Sequence, residues 1–342
     1  MRYIAIALLF ISAFISSCST DFDVTANWKD ITILYGLLDK SDTANYIKVG
    51  KAYLDPNTNA YEIAQNPDSL YYDDLNVVLE EYQNSALVKT IQLTKVDGNL
   101  EGYVKDTGIF ALAPNILYKT KETLNQKSTY KVVVTEPDNG KQVSASAAVV
   151  DDFLIYTPTN VIPINILPNS KYTCAWVSAT DGRIYALTVR FYYREYSFSN
   201  PAVYEPKYVD WVCFTNMLQE DLKGGDNMSF DLNGDNFYTF LSSAIPVDET
   251  KFRMCDHLDF FFSVGGQELD TYNQVTIAQQ GLTSGQVLPT YTNVDNGLGL
   301  FSSRYHKNVT NVQIDWRTQD TIACLSVTHE LNFLRSDSSL CP

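Results

Sequence analysis

The chain has 342 residues and a formal net charge of −15, from 40 acidic and 25 basic side chains. That balance argues against nucleic acid as a partner and against charge-driven docking on anionic headgroups. Aromatic residues make up 13% of the chain and charged ones only 19%, a tyrosine-rich, charge-poor composition that suits pleated sheets and points to a mainly β protein.

In chain order, Arg2 precedes an apolar run from Ile4 to Ile15, and Ser16-Ser17 then leads into Cys18. Residues 1–17 read as a secretory signal, too short to span a bilayer, which takes about 20 apolar residues. A cysteine at the cleavage junction after small residues resembles the bacterial lipobox. That resemblance implies acylation of Cys18 and attachment to a membrane without a transmembrane helix. Residues 18–24 then form a lipidated tether. Asp21 and Asp23 directly behind the cysteine resemble the outer-surface address of lipoproteins of the Bacteroidetes type; any solvated tether is equally polar.

Residues 25–155 carry alternating runs at sandwich spacing: "WKDITILYGLL", "NYIKVGKAYL", "LNVVLEEY" and "ALVKTIQLTKV". "STYKVVVTEPDNGKQVSASAAVV" is the clearest hairpin, with Pro-Asp-Asn-Gly at its turn. Residues 55–72 are polar, with two prolines, and predict a loop containing a short helix. We expect an immunoglobulin-like or transthyretin-like β-sandwich here. Residues 156–170, with three prolines and no periodicity, predict a linker or a crossover strand.

A β-rich second domain with two or three short helices is expected over 171–342. Strands are predicted on either side of Asp181-Gly182, the second with Tyr185, Leu187, Val189, Phe191 and Tyr193 on one face, and again in "KYVDWVCF" and "HLDFFFSV". "FYTFLSSAI" predicts a helix capped by Asp235 or Asn236 and stopped by Pro246. "GQELDTYNQVTIAQQG" predicts a second helix, ended by Gly281. "RTQDTIACLSVTHELNF" predicts a third helix or a helix–strand pair.

"YTNVDNGLGLFSSR", Tyr291 to Arg304, is dense in turn residues and then becomes a strand. Together with the lipobox, "WKDITILYGLLD", "YKVVVTEPDNGKQVSASAAVVDDF" and "GRIYALTVRFYYRE", it resembles a family of uncharacterised Bacteroidetes cell-surface lipoproteins. The resemblance implies a fold and an address, and it supplies no catalytic residues. Physically the motif is a shaped turn: Asn296, Gly297 and Gly299 permit positive φ and close backbone approach, and Leu300 and Phe301 re-enter the core ahead of Arg304. A phosphate-cradling loop is a poor match, with no Gly-Lys-Ser/Thr and a strand following where a helix is needed.

Other candidates are weaker. Asp231, Asn233 and Asp235 stand at the 1, 3, 5 spacing of calcium loops, but the closing acid is absent. His257, His306 and His329 have no sequence partner, and Ser302 and Ser303 near His306 lack a nucleophile-elbow motif. Asp151-Asp152 and Glu80-Glu81 are neighbours, so each pair points to opposite faces of a strand and reads as solvated. "VRFYYREY" and "PAVYEPKYVDWVCF" hold aromatics for a core or for an exposed partner surface. With Cys18 lipidated, five cysteines remain, so at most two bridges form; no CxxC or Cys/His spacing suggests zinc, and no cofactor or metal is expected.

These features point to a non-enzymatic accessory lipoprotein on the outer-membrane surface, working beside a β-barrel transporter or assembly machine, with a glycan or peptide as ligand. The alternatives are a structural or adhesive, pilus-associated protein, and a surface hydrolase.

Overall fold

The computed structural model describes residues 31–52, 59–279 and 291–341; Cys18, Asp21, Asp23 and the predicted stop at Gly281 lie outside them. The protein is mainly β. The described residues hold sixteen strands, in three sheets, and five short α-helices. The strands of the first half are β1 (Ile31–Asp39), β2 (Asn45–Ala52), β3 (Asn76–Gln83), β4 (Ala86–Gln92), β5 (Thr94–Asp97), β6 (Ile116–Thr120), β7 (Thr129–Thr135) and β8 (Gln142–Ala148), with helices α1 (Ala60–Gln65) and α2 (Pro67–Leu70) between β2 and β3. The second half contributes β9 (Ile155–Thr157), β10 (Lys171–Val177), β11 (Ile184–Ser197), β12 (Asn200–Leu218), β13 (Asn227–Asn233), α3 (Gly234–Ala244), β14 (Lys251–Gly265), α4 (Gln267–Gln279), β15 (Val294–Asp295), β16 (Leu298–Gln313) and α5 (Trp316–Cys324).

One eight-stranded sheet, in the order β12-β11-β14-β16-β1-β2-β6-β5, runs through strands of both halves. All its ladders are antiparallel except one: β1 pairs in parallel with β16, from Ile33 opposite Leu298 to Asp39 opposite Arg304. A five-stranded sheet, β15-β8-β7-β3-β4, packs on its β1-β2-β6 portion. Strand alternation sets the layers: Leu34, Leu38, Ile47 and Val49 face Val77, Leu79, Val132 and Val143 across a sandwich core. A three-stranded sheet, β13-β10-β9, packs with α3 and α5 on the β11–β14 portion, around Trp176, Phe191, Phe237 and Phe262. The chain passes from the first core to the second between Val149 and Val150.

One segment crosses back over that boundary. Val294 and Phe301, late in the sequence, lie in the first core, while the rest of β16 serves the second. Residues 156–170 are packed: Ile164 and Ile166 are fully buried, and Ile164 bridges in parallel to Ile314.

Several local expectations need correction. Helix α3 is capped by Asn233, whose side chain accepts from Asn236 N, not by Asp235 or Asn236. Glu81 is buried and accepts from Ser128 Oγ at 2.7 Å; the β-strand places Glu80 and Glu81 on opposite faces, and only one of those faces is wet. Cys324 is bonded to Cys341, tying α5 to the C-terminal segment, whereas Cys174, Cys213 and Cys255 are free thiols. Burial pushes the Cys213 thiol up to about 12 and raises Cys174 and Cys255 further, which disfavours the thiolate in all three.

Candidate functional site

The large sheet has a second face, turned away from both cores. In β1 it carries Ile33, Tyr35, Leu37 and Asp39; in β2 it carries Lys48 and Gly50, with Lys48 opposite Tyr35. Among the described residues no second sheet covers this face, and α4 packs on its β16 side through the Glu268–Ser302 bond. At the β1–β2 end, the terminus of α2 and the loop around residues 103–110 rise over it and enclose a cleft of about 330 Å³. Ile33, Tyr35, Leu70, Tyr71 and Phe110 give it apolar walls, and Lys48, Lys51 and Lys105 line it with cations, with Asp106 as the one acid among the described lining residues.

The sequence builds this cleft locally. Gly50 lets α2 approach the sheet, since a Cβ there would stand 3.2 Å from Leu70 O. Asn66 caps α2 by accepting from Asp68 N, and Pro67 supplies a preset φ at its first turn. The outer loop is pinned to α1 by Ala111 N donating to Ala64 O at 2.9 Å and by Gln65 Nε2 donating to Ile109 O. Lys105 Nζ donates to Ala111 O at 2.8 Å and sits 5.2 Å from the centre of the Tyr71 ring. Burial lowers the Lys105 pKa, with the Asp97 charge opposing. Burial also raises that of the Tyr71 phenol, against the pull of Lys48.

A polar cluster lies further along the same face, at the end of β1. Asp39 is fully buried; its Oδ2 stands 2.6 Å from His306 Nδ1, and its Oδ1 accepts from Ser41 N at 2.9 Å. Burial works against the Asp39 charge, but the hydrogen bonds from His306 and Ser41 outweigh it and hold the carboxyl below its usual range. Arg304 reaches the same group, 3.5 Å from Asp39 and 3.6 Å from Asp42. A carboxylate that orients an imidazole is half of a nucleophilic triad. Ser302 and Ser303, the serines nearest His306 in sequence, are committed elsewhere: Ser302 donates to Glu268 at 3.1 Å and Ser303 to Ala148 O at 2.6 Å, both from fully buried positions.

The turn motif feeds β16 into this cluster. Asn293 pairs with the backbone of Phe301 through both side-chain atoms, at 2.7 and 3.0 Å, as a neighbouring strand would. Asn296 takes φ 59° and Gly299 φ 128°. A Cβ on Gly299 would fall 1.9 Å from Leu34 O, and one on Gly297 2.8 Å from Thr32 O. The motif's glycines thus let β16 lie against β1.

A third feature is the outer face of β11 and β12. Phe191, Tyr193 and Trp211 point into the second core, while Tyr192, Tyr196, Tyr204 and Tyr208 alternate outward. Arg190 binds Asp210 through two nitrogens, at 2.6 and 2.9 Å, and lies 4.0 Å over the Tyr208 ring. The aromatic segments therefore supply both a core and an exposed face.

The remaining sequence candidates occupy structural positions. Asp231 takes Thr173 and Lys171, Asn233 caps α3, and Asp235 accepts from Asn169 N, so the spacing that suggested calcium is used for other bonds. Among the described residues no group of three or more His, Cys, Asp or Glu side chains could hold a metal ion, and no helix is long and apolar enough to cross a membrane. Asp151 pairs with Lys40 and Asp152 with Lys307, both at 2.7 Å. His257 stacks on Tyr192 at 4.3 Å, between Asp256 and Asp259.

Sequence reading missed the cleft residues Lys48, Tyr71, Lys105 and Phe110. The available signal was the glycine-flanked aromatic stretch "EGYVKDTGIF", which has no strand or helix period and still holds four bulky apolar side chains. Searched against family models and curated proteins, the chain matches none of them.

Proposed function

We infer that the protein is a lipid-anchored, non-enzymatic binding protein of the outer-membrane surface, holding a small ligand in the β1–β2 cleft and serving a β-barrel transporter or assembly partner. The observation that carries the binding role is the cleft itself: a concave, mostly apolar site of about 330 Å³ on the outer face of the large sheet, at the lower end of the ~300–1,000 Å³ span of ligand pockets. Cys18 and the residues behind it support the address. The commitment of Ser302 and Ser303 to buried hydrogen bonds supports a non-enzymatic reading of the Asp39–His306 pair.

The test uses the full chain in its native host. Palmitate labelling is expected to depend on Cys18, and protease added to intact cells is expected to release the body; full protection overturns the surface address. In nanodiscs the purified chain is expected to bind the neutral fluorophore N-phenyl-1-naphthylamine at one site. Phe110→Ala, at a position 60% exposed, is expected to weaken that binding about five- to tenfold without lowering the melting temperature. No binding, or binding indifferent to Phe110, overturns the cleft as the site.

An adhesive role is favoured by a different observation. The 19-residue β12 ends the large sheet, so one of its edges has no partner strand among the described residues, and such an edge can receive a strand from another chain. Cross-linking to a second protein from positions along β12, with no effect of Phe110→Ala, is the result that selects it.

A further inference from the structure

The cleft's lining specifies more than an apolar ligand. The chain carries 40 acidic side chains against 25 basic ones, and several of its lysines hold carboxylates: Lys40 with Asp151, Lys119 with Glu101, Lys307 with Asp152. Lys48 and Lys105 differ. Neither has a carboxylate within ion-pair distance among the described residues, and both line the same cleft. Lys105 gives one bond to Ala111 O and a longer one to Pro114 O, at 3.5 Å, which leaves its three-donor ammonium incompletely used. Lys48 is exposed at the rim and makes no hydrogen bond or ion pair among the described residues.

Between these cations the walls are flat and apolar. Tyr35 and Tyr71 stand with Ile33 and Leu70, and Phe110 projects from the outer loop. Aromatic faces of this kind stack on planar ligands. A net-negative protein repels anions at long range, so Lys48 and Lys105, side by side in one cleft, raise the anion concentration only at that spot.

We propose that the cleft binds a planar organic anion, an aromatic body bearing a carboxylate, with the body between Tyr71 and Phe110 and the carboxylate against Lys48 and Lys105. This rests on the binding reading above and adds the ligand's charge and shape. A neutral ligand of the same shape would use the walls and leave the ammonium groups in water. The carboxylate exchanges hydration for charge-assisted hydrogen bonds, which are shorter and stronger than neutral ones.

The experiment compares 2-naphthoate with its uncharged isostere 2-naphthamide by titration calorimetry on the full chain in nanodiscs, with empty nanodiscs as blank. Naphthoate is expected to bind about tenfold tighter than naphthamide, on the order of one well-placed ion pair. Raising the salt is expected to narrow the gap. Lys48→Glu is expected to abolish the preference for naphthoate while leaving the melting temperature unchanged, because Lys48 is exposed and makes no bond among the described residues. Lys105→Gln keeps a donor for Ala111 O and is expected to reduce the preference without removing it. Equal affinities for the two compounds overturn the proposal. So does a preference that survives both substitutions, or binding of the neutral fluorophore with none of naphthoate. In each of these cases the binding reading stands or falls separately on the fluorophore and Phe110→Ala.

Discussion

Asp39 shows how much a single side chain can be asked to do. It ends β1, sits at zero exposure, and is held ionised by His306 and Ser41 against its own burial. Its folded-state pKa is depressed, so its contribution is fully present above the unfolded value of about 3.9 and fades as pH falls through the lower folded value. Asp39→Asn is expected to cost about 1–3 kcal/mol at pH 7 and to flatten the loss of stability below about pH 4. Urea titrations at pH 3, 5 and 7 measure both effects. A variant whose stability parallels the parent's at every pH would show that the cluster is not coupled to folding. The sequence shows the acid and the imidazole and nothing of their pairing, because the two lie 267 positions apart.

At the scale of elements, the strands were largely legible. The β7–β8 hairpin, the inward face of β11 and the strand character of β12 and β14 follow from period-two alternation. Partner choice leaves no such pattern. β10 and β11 flank the Asp181 turn yet join different sheets. The Asp39–His306 cluster and the cleft stayed hidden for the same reason, since each gathers residues from separate strands and aperiodic loops. Arg253, near the start of β14, reads as a surface residue but is fully buried. Its guanidinium binds Glu195 on β11, Leu331 O and Pro246 O, at 2.7 to 3.0 Å, and so fastens the C-terminal segment to the sheet. Removing one partner of such a pair leaves a buried charge unpaired. Arg253→Met is expected to destabilise by about 3–5 kcal/mol. Arg253→Met combined with Glu195→Gln is expected to recover part of that loss, because the orphaned charge is gone. Thermal denaturation of the single and double variants checks this, and a double variant no more stable than the single would show that the contacts to backbone carbonyls dominate.

For the whole molecule, composition and strand spacing revealed a mainly β chain and its sandwich layering. They did not reveal that one sheet runs through strands of both halves. Residues 25–155 lack Phe301, which fills the first core, and lack β16, against which β1 is laid. That segment expressed alone is expected to unfold without a sharp transition, and to regain one when residues 156–342 are supplied in the same cell. Circular dichroism melts of the fragment and of the reconstituted pair measure this. A cooperative melt from the first fragment alone would show that its core closes without β16.

The parallel β1–β16 ladder also fixes an order in time. A chain that emerges N-terminus first presents β1 early, yet the strand that completes its pairing follows nearly the whole sequence later. The intervening loop must close before that ladder forms, and contacts of such long range form slowly. The first core therefore remains unsealed, with the β1 edge bare, until Phe301 arrives. In a polypeptide moved across a membrane as a thread, late sealing keeps the leading half threadable until almost all of it has crossed, and the same interval leaves β1 and its apolar face open to holding factors on the far side.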